Sequence, residues 1–174
     1  TKAPYVTAYQ GDRLPPDTVT AYAKAAPGSV WYIGGELNVR YISAADYVAE
    51  FDYYAELIKA ADPTAKLMNA SILNWDFTCS GCGDPNFPKG KTWLRDFVEA
   101  YQGVHNVELP PVDIWAIDIY PLTWGPVPGE EHIPWLPMTR SDIVISQVIG
   151  LRDYLDELFL FNAPIWITEI ASHW

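Results

Sequence analysis

Residues 30–38 read VWYIGGELN, an apolar run that ends abruptly in a glutamate, Glu36. The same form returns near the end of the chain, where residues 166–169 read WITE and end in Glu169. A short apolar run without alternation is typical of a strand that is buried on both faces. Because α/β proteins place their sites at the carboxyl ends of parallel strands, we expect Glu36 and Glu169 to face a common crevice.

Strand-like and helix-like patterns alternate along the chain. Apolar residues after Ser43 recur at spacings of three and four as far as residue 61, which predicts a helix that ends at Asp62. Ser43 and Asp46 resemble a capping box at its start. Further helices are predicted after residue 141, at about 91–101 and after the prolines at 15–16; strands are predicted at 5–8, 30–34, 66–73, 112–119 and 165–169. This alternation implies right-handed βαβ units in a parallel sheet.

The order of these elements predicts an α/β protein, a (β/α)8 TIM barrel that is incomplete in this chain. Long segments follow the strands at 37–42, 74–89 and 121–139, whereas most helix-to-strand connections are short. In a barrel, the loops that follow the strands line the active-site face. A doubly wound open sheet would alternate in the same way, but no glycine-rich phosphate turn follows any predicted strand. We favour the barrel and keep an open sheet with structural glutamates as the alternative.

Length and charge restrict the class of protein. The chain has 174 residues, 49% of them hydrophobic and 19% charged, so we expect one catalytic domain over residues 1–174. It begins at Thr1 without an initiator methionine and stops soon after Glu169, which suggests a barrel truncated at both ends. A net charge of −11 disfavours nucleic acid and anionic membranes as partners. The oligomeric state stays open.

The cysteines and histidines give little sign of a metal centre. Cys79 and Cys82 form a single CxxC in a loop rich in Gly, Pro and Asn, which favours a short disulfide or two free thiols over zinc. A disulfide would favour an exported protein, so we expect an extracellular or cell-envelope location. His105, His132 and His173 share no metal-ligand spacing. We therefore predict no metal and no other cofactor.

Two glutamates at strand ends predict a particular chemistry. In a barrel, side chains three strands apart converge over the axis at roughly the 5 Å separation that retaining glycosidases need. One carboxyl would act as general acid/base, while the other, ionised, would attack the anomeric carbon of a sugar. The alternative is that Glu36 and Glu169 cap neighbouring helices or pair with surface arginines.

The segments resemble motifs of a known family. WYIGGELN at 31–38 resembles the W-x-I-G-N-E-P-N motif at the end of strand four in clan A glycoside hydrolases. WITE at 166–169 resembles their strand-seven motif, and VDIWAIDIY at 112–120 is similar to their strand six. The chain would then be a fragment covering about strands three to seven. The elements WLxxF at 93–97 and VDxxAxxxY at 112–120 point to a β-1,3-glucanase-like branch.

This resemblance implies roles for the matched positions. Glu36 would be the acid/base, Glu169 the nucleophile, and Tyr120 the residue that holds the nucleophile in place. The implied activity is retaining hydrolysis of a β-linked poly- or oligosaccharide, with carbohydrate as the partner.

The sequence departs from the clan A pattern beside the expected acid/base. Gly35 stands where the family has an asparagine that binds the sugar 2-hydroxyl, Leu37 replaces a proline, and Asp118 stands where His or Asn is common. Loss of the 2-hydroxyl contact would lower the rate, so a catalytically impaired carbohydrate-binding barrel is the alternative function. The expected substrate-binding residues are Asn38, Asn69, Trp75, Asp118, Trp124 and Trp135.

Overall fold

The computed structural model describes residues 5–7, 13–39, 42–76, 88–120 and 141–170, with the main chain alone for 5–7. Its strands are β1 (Tyr5–Thr7), β2 (Val30–Gly34), β3 (Lys66–Met68), β4 (Ile72–Leu73), β5 (Trp115–Ile119) and β6 (Ile165–Ile170). Its helices are α1 (Pro16–Ala25), α2 (Ala44–Ala61), α3 (Gly90–Val104) and α4 (Ser141–Glu157), with a short 3-10 turn at Leu37–Val39. The predicted alternation of strands and helices is confirmed over these residues.

The described strands pair only in parallel, and their spatial order follows their order in the chain. Strands β1-β2-β3 form one ladder and β4-β5-β6 another. Met68 of β3 also bridges Ile114 just before β5, so β3 and β4 lie in succession beside β5 and act as one interrupted strand. A doubly wound sheet reverses its strand order midway, and none of the described strands does so. The wall of a (β/α) barrel has this chain-order arrangement.

Each face of the sheet buries a separate apolar cluster. The larger cluster lies between the strands and the helices and is rich in aromatic rings, such as Tyr47 of α2 and Phe97 of α3 with ring centroids 4.8 Å apart. The smaller cluster contains Met68 and Ala116, whereas Trp115 belongs to the larger one. Because adjacent strand residues point to opposite faces, the two clusters lie on opposite sides of the sheet. Burial on both sides explains why the segments of β2, β3 and β5 read as continuous apolar runs. The same expectation is wrong for β6, where Trp166 and Ile167 are each 43% exposed.

The strand predicted at 66–73 is divided into β3 and β4 in the structure. Side chains replace the ladder hydrogen bonds at the break. The main-chain N–H of Ala70 donates to the Tyr47 hydroxyl at 2.7 Å, and the N–H of Ala116 donates to Asn69 Oδ1 at 2.9 Å. These contacts keep buried main-chain groups satisfied where the ladder is interrupted.

Helix α2 begins and ends where the sequence predicts. The N–H of Asp46 donates to Ser43 Oγ at 3.0 Å, and the Ser43 hydroxyl donates to the Asp46 carboxylate at 2.7 Å, which confirms the capping interaction. The helix ends before Asp62, whose carboxylate accepts the N–H of Gly28 at 2.7 Å. Hydrogen bonds from Thr64 and from Gly28 hold the pKa of Asp62 below its ordinary value. This carboxylate therefore ties the end of α2 to the chain that enters β2.

Several predictions fall on residues outside the described ranges. They concern the indoles of Trp124 and Trp135, the pair Cys79 and Cys82, and the histidines His132 and His173. Within the described ranges, none of the helices combines the length and the apolar character that a membrane span requires.

Candidate active site

A pair of glycines carries the chain from β2 to Glu36. Gly34 and Gly35 have φ values of +143° and +142°, a conformation that residues with a side chain rarely adopt. A Cβ on Gly34 would lie 2.4 Å from the Cβ of Ala70, so the strand end approaches its neighbour more closely than any side chain permits. The positive φ also gives a physical reason for Gly35 at the position where the clan A motif has asparagine. An asparagine at position 35 would strain the main chain that leads to Glu36.

Asn38 anchors the turn that follows Glu36. This residue is fully buried, its Oδ1 accepts the N–H of Leu73 at 2.9 Å, and its Nδ2 donates to the carbonyls of Leu73 and Pro88 at 3.3 and 3.2 Å. The amide thereby ties the turn after β2 to the end of β4. Its expected sugar contact stays a prediction. To bind a sugar, the Asn38 amide would have to give up hydrogen bonds to the main chain.

Glu169 enters the site through an irregularity in β6. Ile117 of β5 lies opposite Ile167, but Asp118 lies opposite Glu169, so Thr168 is an extra residue and forms a β-bulge. Neighbouring residues of a regular strand point to opposite faces, whereas a bulge redirects a side chain locally. The side chains of Thr168 and Glu169 accordingly both bond to groups on β5 or on the residue after it.

Three carboxyl groups meet at the carboxyl ends of these strands. Glu36, Asp118 and Glu169 each present an oxygen atom within 4.8 Å of the others. Glu36 is half-buried, Asp118 is buried and Glu169 is exposed. The two strand-end glutamates therefore lie close together, as their sequence positions led us to expect.

Tyr120 lies directly after β5 and holds one of these carboxylates. Its hydroxyl donates to Glu169 Oε2 at 2.5 Å. That hydrogen bond, then burial, then the nearby charges of Glu169, Glu36 and Asp118 raise the pKa of Tyr120 well above its usual range. The phenol therefore stays protonated and acts as a donor. The contact between Tyr120 and Glu169 is the one that the clan A resemblance implies.

Asn74, the residue directly after β4, positions Tyr120, and this role was not predicted from the sequence. It has a φ of +51°, its Oδ1 accepts the N–H of Tyr120 at 2.9 Å, and its Nδ2 donates to the Tyr120 carbonyl at 3.0 Å. An asparagine directly after a predicted strand is the signal that could have indicated this role, because Asn tolerates the left-handed conformation.

Asp118 is the buried member of the three carboxyl groups, with 1% of its surface exposed. Its Oδ2 accepts the hydroxyl of Ser71 at 2.6 Å, and its Oδ1 accepts that of Thr168 at 2.5 Å. Burial raises the pKa of Asp118 and outweighs the opposing effect of these hydroxyl donors, while the charge of Glu169 raises it further. The sequence predicted a sugar contact for Asp118. In the structure both of its oxygens are occupied by protein donors, and the sugar contact stays a prediction.

Two other predicted substrate residues also serve the protein interior. Asn69 is fully buried, and its Nδ2 donates to the carbonyl of Ala70 at 2.7 Å. Trp75 is 7% exposed and lies beneath α4, where a Cβ on Gly150 would come within 2.2 Å of the indole, and its ring centroid lies 5.6 Å from that of Tyr154. Asn69 thus bonds to the main chain, and Trp75 packs against α4. Their sugar contacts stay predictions.

Comparisons with known proteins identify the fold. The chain matches no protein-family model and no curated protein. Among solved structures, it is similar to an endo-β-1,3-glucanase of GH128 subgroup II from Pseudomonas viridiflava, with a TM-score of 0.57 and 24% identity over 98% of this chain and 52% of that one. It is also similar to an exo-β-1,3-glucanase of GH128 subgroup VI from Aureobasidium namibiae, with a TM-score of 0.53 and 14% identity over 98% of this chain and 51% of that one.

The chain thus spans about half the length of the solved structures that it resembles. This likeness confirms the predicted α/β class and the incomplete barrel, and it agrees with the chain-order parallel sheet described above. The chain therefore has the fold of about half of a (β/α)8 barrel, the fold of the two solved structures that it resembles.

Proposed function

We propose that this chain carries the catalytic pair of a retaining glycoside hydrolase that acts on β-linked glucans. The observation that carries the proposal is the approach of Glu36 and Glu169, whose carboxyl oxygens lie within 4.8 Å at the strand ends, with Tyr120 bonded to Glu169. The glucan as substrate class is supported by the activities of the two solved relatives in fold, an endo- and an exo-β-1,3-glucanase.

The reaction would proceed in two displacements. In the first, the Glu169 carboxylate forms a bond to the anomeric carbon while the bond to the leaving oxygen breaks, and Glu36 gives its proton to that oxygen. In the second, Glu36 takes a proton from water, whose oxygen attacks the anomeric carbon and releases Glu169. Two inversions retain the configuration of the sugar.

The contact with Tyr120 supports this division of roles. The Tyr120 hydroxyl donates to Glu169 Oε2 at 2.5 Å and fixes the direction of that carboxylate. Glu36, the other strand-end glutamate of the cluster, is then the group that would give and take the proton.

A second candidate function is carbohydrate binding without turnover, and Gly35 is the observation that favours it. This glycine leaves no side chain at the position where the clan A motif has asparagine. A binding barrel would retain affinity for glucans and release no reducing ends, so both candidates are testable on the same protein.

The decisive experiment uses the full-length protein that contains this chain, with soluble β-1,3-glucan and an activated aryl β-glucoside. We expect the wild type to release product of retained anomeric configuration by NMR. Glu169→Ala and Glu36→Ala should each lower turnover at least a thousandfold, whereas Glu99→Gln, which changes an exposed glutamate on α3, should not.

Azide rescue distinguishes the two roles. With Glu169→Ala, azide should replace the nucleophile and give an α-glycosyl azide from the activated β-glucoside. With Glu36→Ala, azide should intercept the covalent intermediate and give a β-glycosyl azide. The opposite pattern would exchange the two roles, and binding of glucan without hydrolysis by wild type would support the binding barrel instead.

A further inference from the structure

The direction of Glu169 depends on the bulge at Thr168. The register is regular up to Ile117 and Ile167, and the extra residue then brings Glu169 opposite Asp118. In an unbulged strand, Glu169 would point to the face opposite that of Thr168. Whatever stabilises the bulge therefore determines whether the carboxylate reaches the site.

Both residues of the bulge donate hydrogen bonds to the same buried group. The Thr168 hydroxyl donates to Asp118 Oδ1 at 2.5 Å, and the main-chain N–H of Glu169 donates to the same carboxyl. The Thr168 hydroxyl also lies 3.4 Å from the carbonyl of Ile117, a longer and weaker contact. Asp118 is thus the main partner of the bulge on the neighbouring strand.

Asp118 is fixed in turn from the other side of the site. The Ser71 hydroxyl donates to its Oδ2 at 2.6 Å, and Ser71 Oγ lies 2.5 Å from the hydroxyl of Tyr32 on β2. The resulting chain of contacts runs from β2 to β6 across the inner face of the sheet, the face that carries Met68 and Ala116. A carboxyl held at both oxygens in this way is a rigid support.

We propose that Asp118 is a positioning residue, which clamps the bulge at Thr168 and thereby aims Glu169 at the anomeric carbon of the substrate. This inference rests on the proposed function, because it takes Glu169 as the nucleophile. Loss of the clamp should lower kcat and leave KM nearly unchanged, because both oxygens of Asp118 are bound by protein donors.

The test isolates the nucleophilic step by using a substrate that needs no acid. In the full-length protein, 2,4-dinitrophenyl 2-deoxy-2-fluoro-β-laminaribioside would be attacked by Glu169, with the new carboxylate–C1 bond replacing the bond from C1 to dinitrophenolate. Dinitrophenolate leaves without a proton, so Glu36 does not enter the rate. Its absorbance gives the rate of labelling, and peptide mass spectrometry gives the labelled residue.

Paired variants separate a clamp from a charge effect. Thr168→Val and Asp118→Ala remove the clamp and should label at least tenfold more slowly than wild type. Thr168→Ser keeps the hydroxyl, and Asp118→Asn keeps an oxygen acceptor for Thr168, so both should label within threefold of wild type. Thr92→Val makes the same change on the exposed side of α3 and should have no effect. Thermal unfolding of each variant confirms that it is folded.

The outcomes are distinct. Labelling of Thr168→Val and Asp118→Ala at the wild-type rate overturns the clamp while leaving the proposed function intact. Labelling of Asp118→Asn as slow as that of Asp118→Ala also overturns the clamp, because Asp118 would then act on the labelling rate through its charge and not through its hold on the bulge. A folded wild type that is never labelled at Glu169 removes the proposed function, and the inference with it.

Discussion

Replacement of Tyr120 by phenylalanine removes one oxygen atom from the site. The lost contact is the 2.5 Å hydrogen bond to Glu169 Oε2. Because the Glu169 hydrogen bond, burial and the surrounding negative charges raise the pKa of Tyr120 well above its usual range, the phenol is a donor throughout the neutral and mildly alkaline range. The substitution therefore removes a hydrogen-bond donor throughout the neutral and mildly alkaline range.

The magnitude follows from the type of bond. A hydrogen bond to a charged group contributes about 1.5–3 kcal/mol, and the exposure of Glu169 places this one at the lower end because water replaces part of the contact. A loss of about 1.5 kcal/mol from the transition state corresponds to a roughly tenfold fall in kcat. The ring itself is retained, so we expect KM to change less than twofold.

Steady-state hydrolysis of β-1,3-glucan by the full-length protein measures this effect. Tyr53→Phe is the matched control, because it also removes a tyrosine hydroxyl bond, 3.1 Å to the carbonyl of Leu14, on the remote helix α2. It should leave kcat unchanged. A Tyr120→Phe variant with the kcat of wild type would refute the reasoning, as would a rise in KM that accounts for the whole loss.

Three further predictions concern stability, measured as the free energy of unfolding in urea. Gly34→Ala should lower it by about 2 kcal/mol or more, because the new Cβ meets Ala70 at a φ of +143°, whereas Gly103→Ala on the open side of α3 should raise it by about 0.5–1 kcal/mol. Ser43→Ala should lower it by about 1 kcal/mol through loss of the α2 cap. Burial raises the pKa of Asp118 in the folded protein. The protonated carboxyl therefore contributes its full share to the free energy of unfolding below the unfolded pKa of about 3.9, and this contribution is lost as the pH rises through the folded pKa. Asp118→Asn should therefore be more stable than wild type at pH 7, with a smaller difference near pH 4; equal stability at both would contradict this.

The features that the sequence predicted correctly depend on local pattern. Apolar runs and helical spacing indicated the parallel strands and the helices, and Ser43 with Asp46 indicated the start of α2. The meeting of Glu36 and Glu169 followed from one rule, that parallel strands bring their carboxyl ends to one edge. Each of these inferences uses only residue type and spacing.

The features that it missed depend on partners that are distant in the sequence. Nothing in WITE shows that Thr168 is an extra residue, because the bulge appears only in the register against β5. Asn38 and Asn69 satisfy main-chain groups of neighbouring strands, and an asparagine offers the same amide to a sugar or to a backbone. Trp75 follows a strand, as a sugar-stacking residue would, but Gly150 of α4 leaves the space that its indole fills.

The composition of the inner face explains why the site lies at one end of the strands. Toward the amino ends this face is apolar, with Met68 and Ala116 buried together. Three residues after Met68 the chain reaches Ser71, and two residues after Ala116 it reaches Asp118, which lies opposite Glu169. Parallel register places side chains of adjacent strands in common layers, so a change from apolar to acidic residues in each strand builds a charged layer on an apolar base. Asp118 is buried next to this apolar base, and its burial raises its pKa. The register of β5 against β6, including its single extra residue, therefore determines the geometry of the described carboxyl cluster.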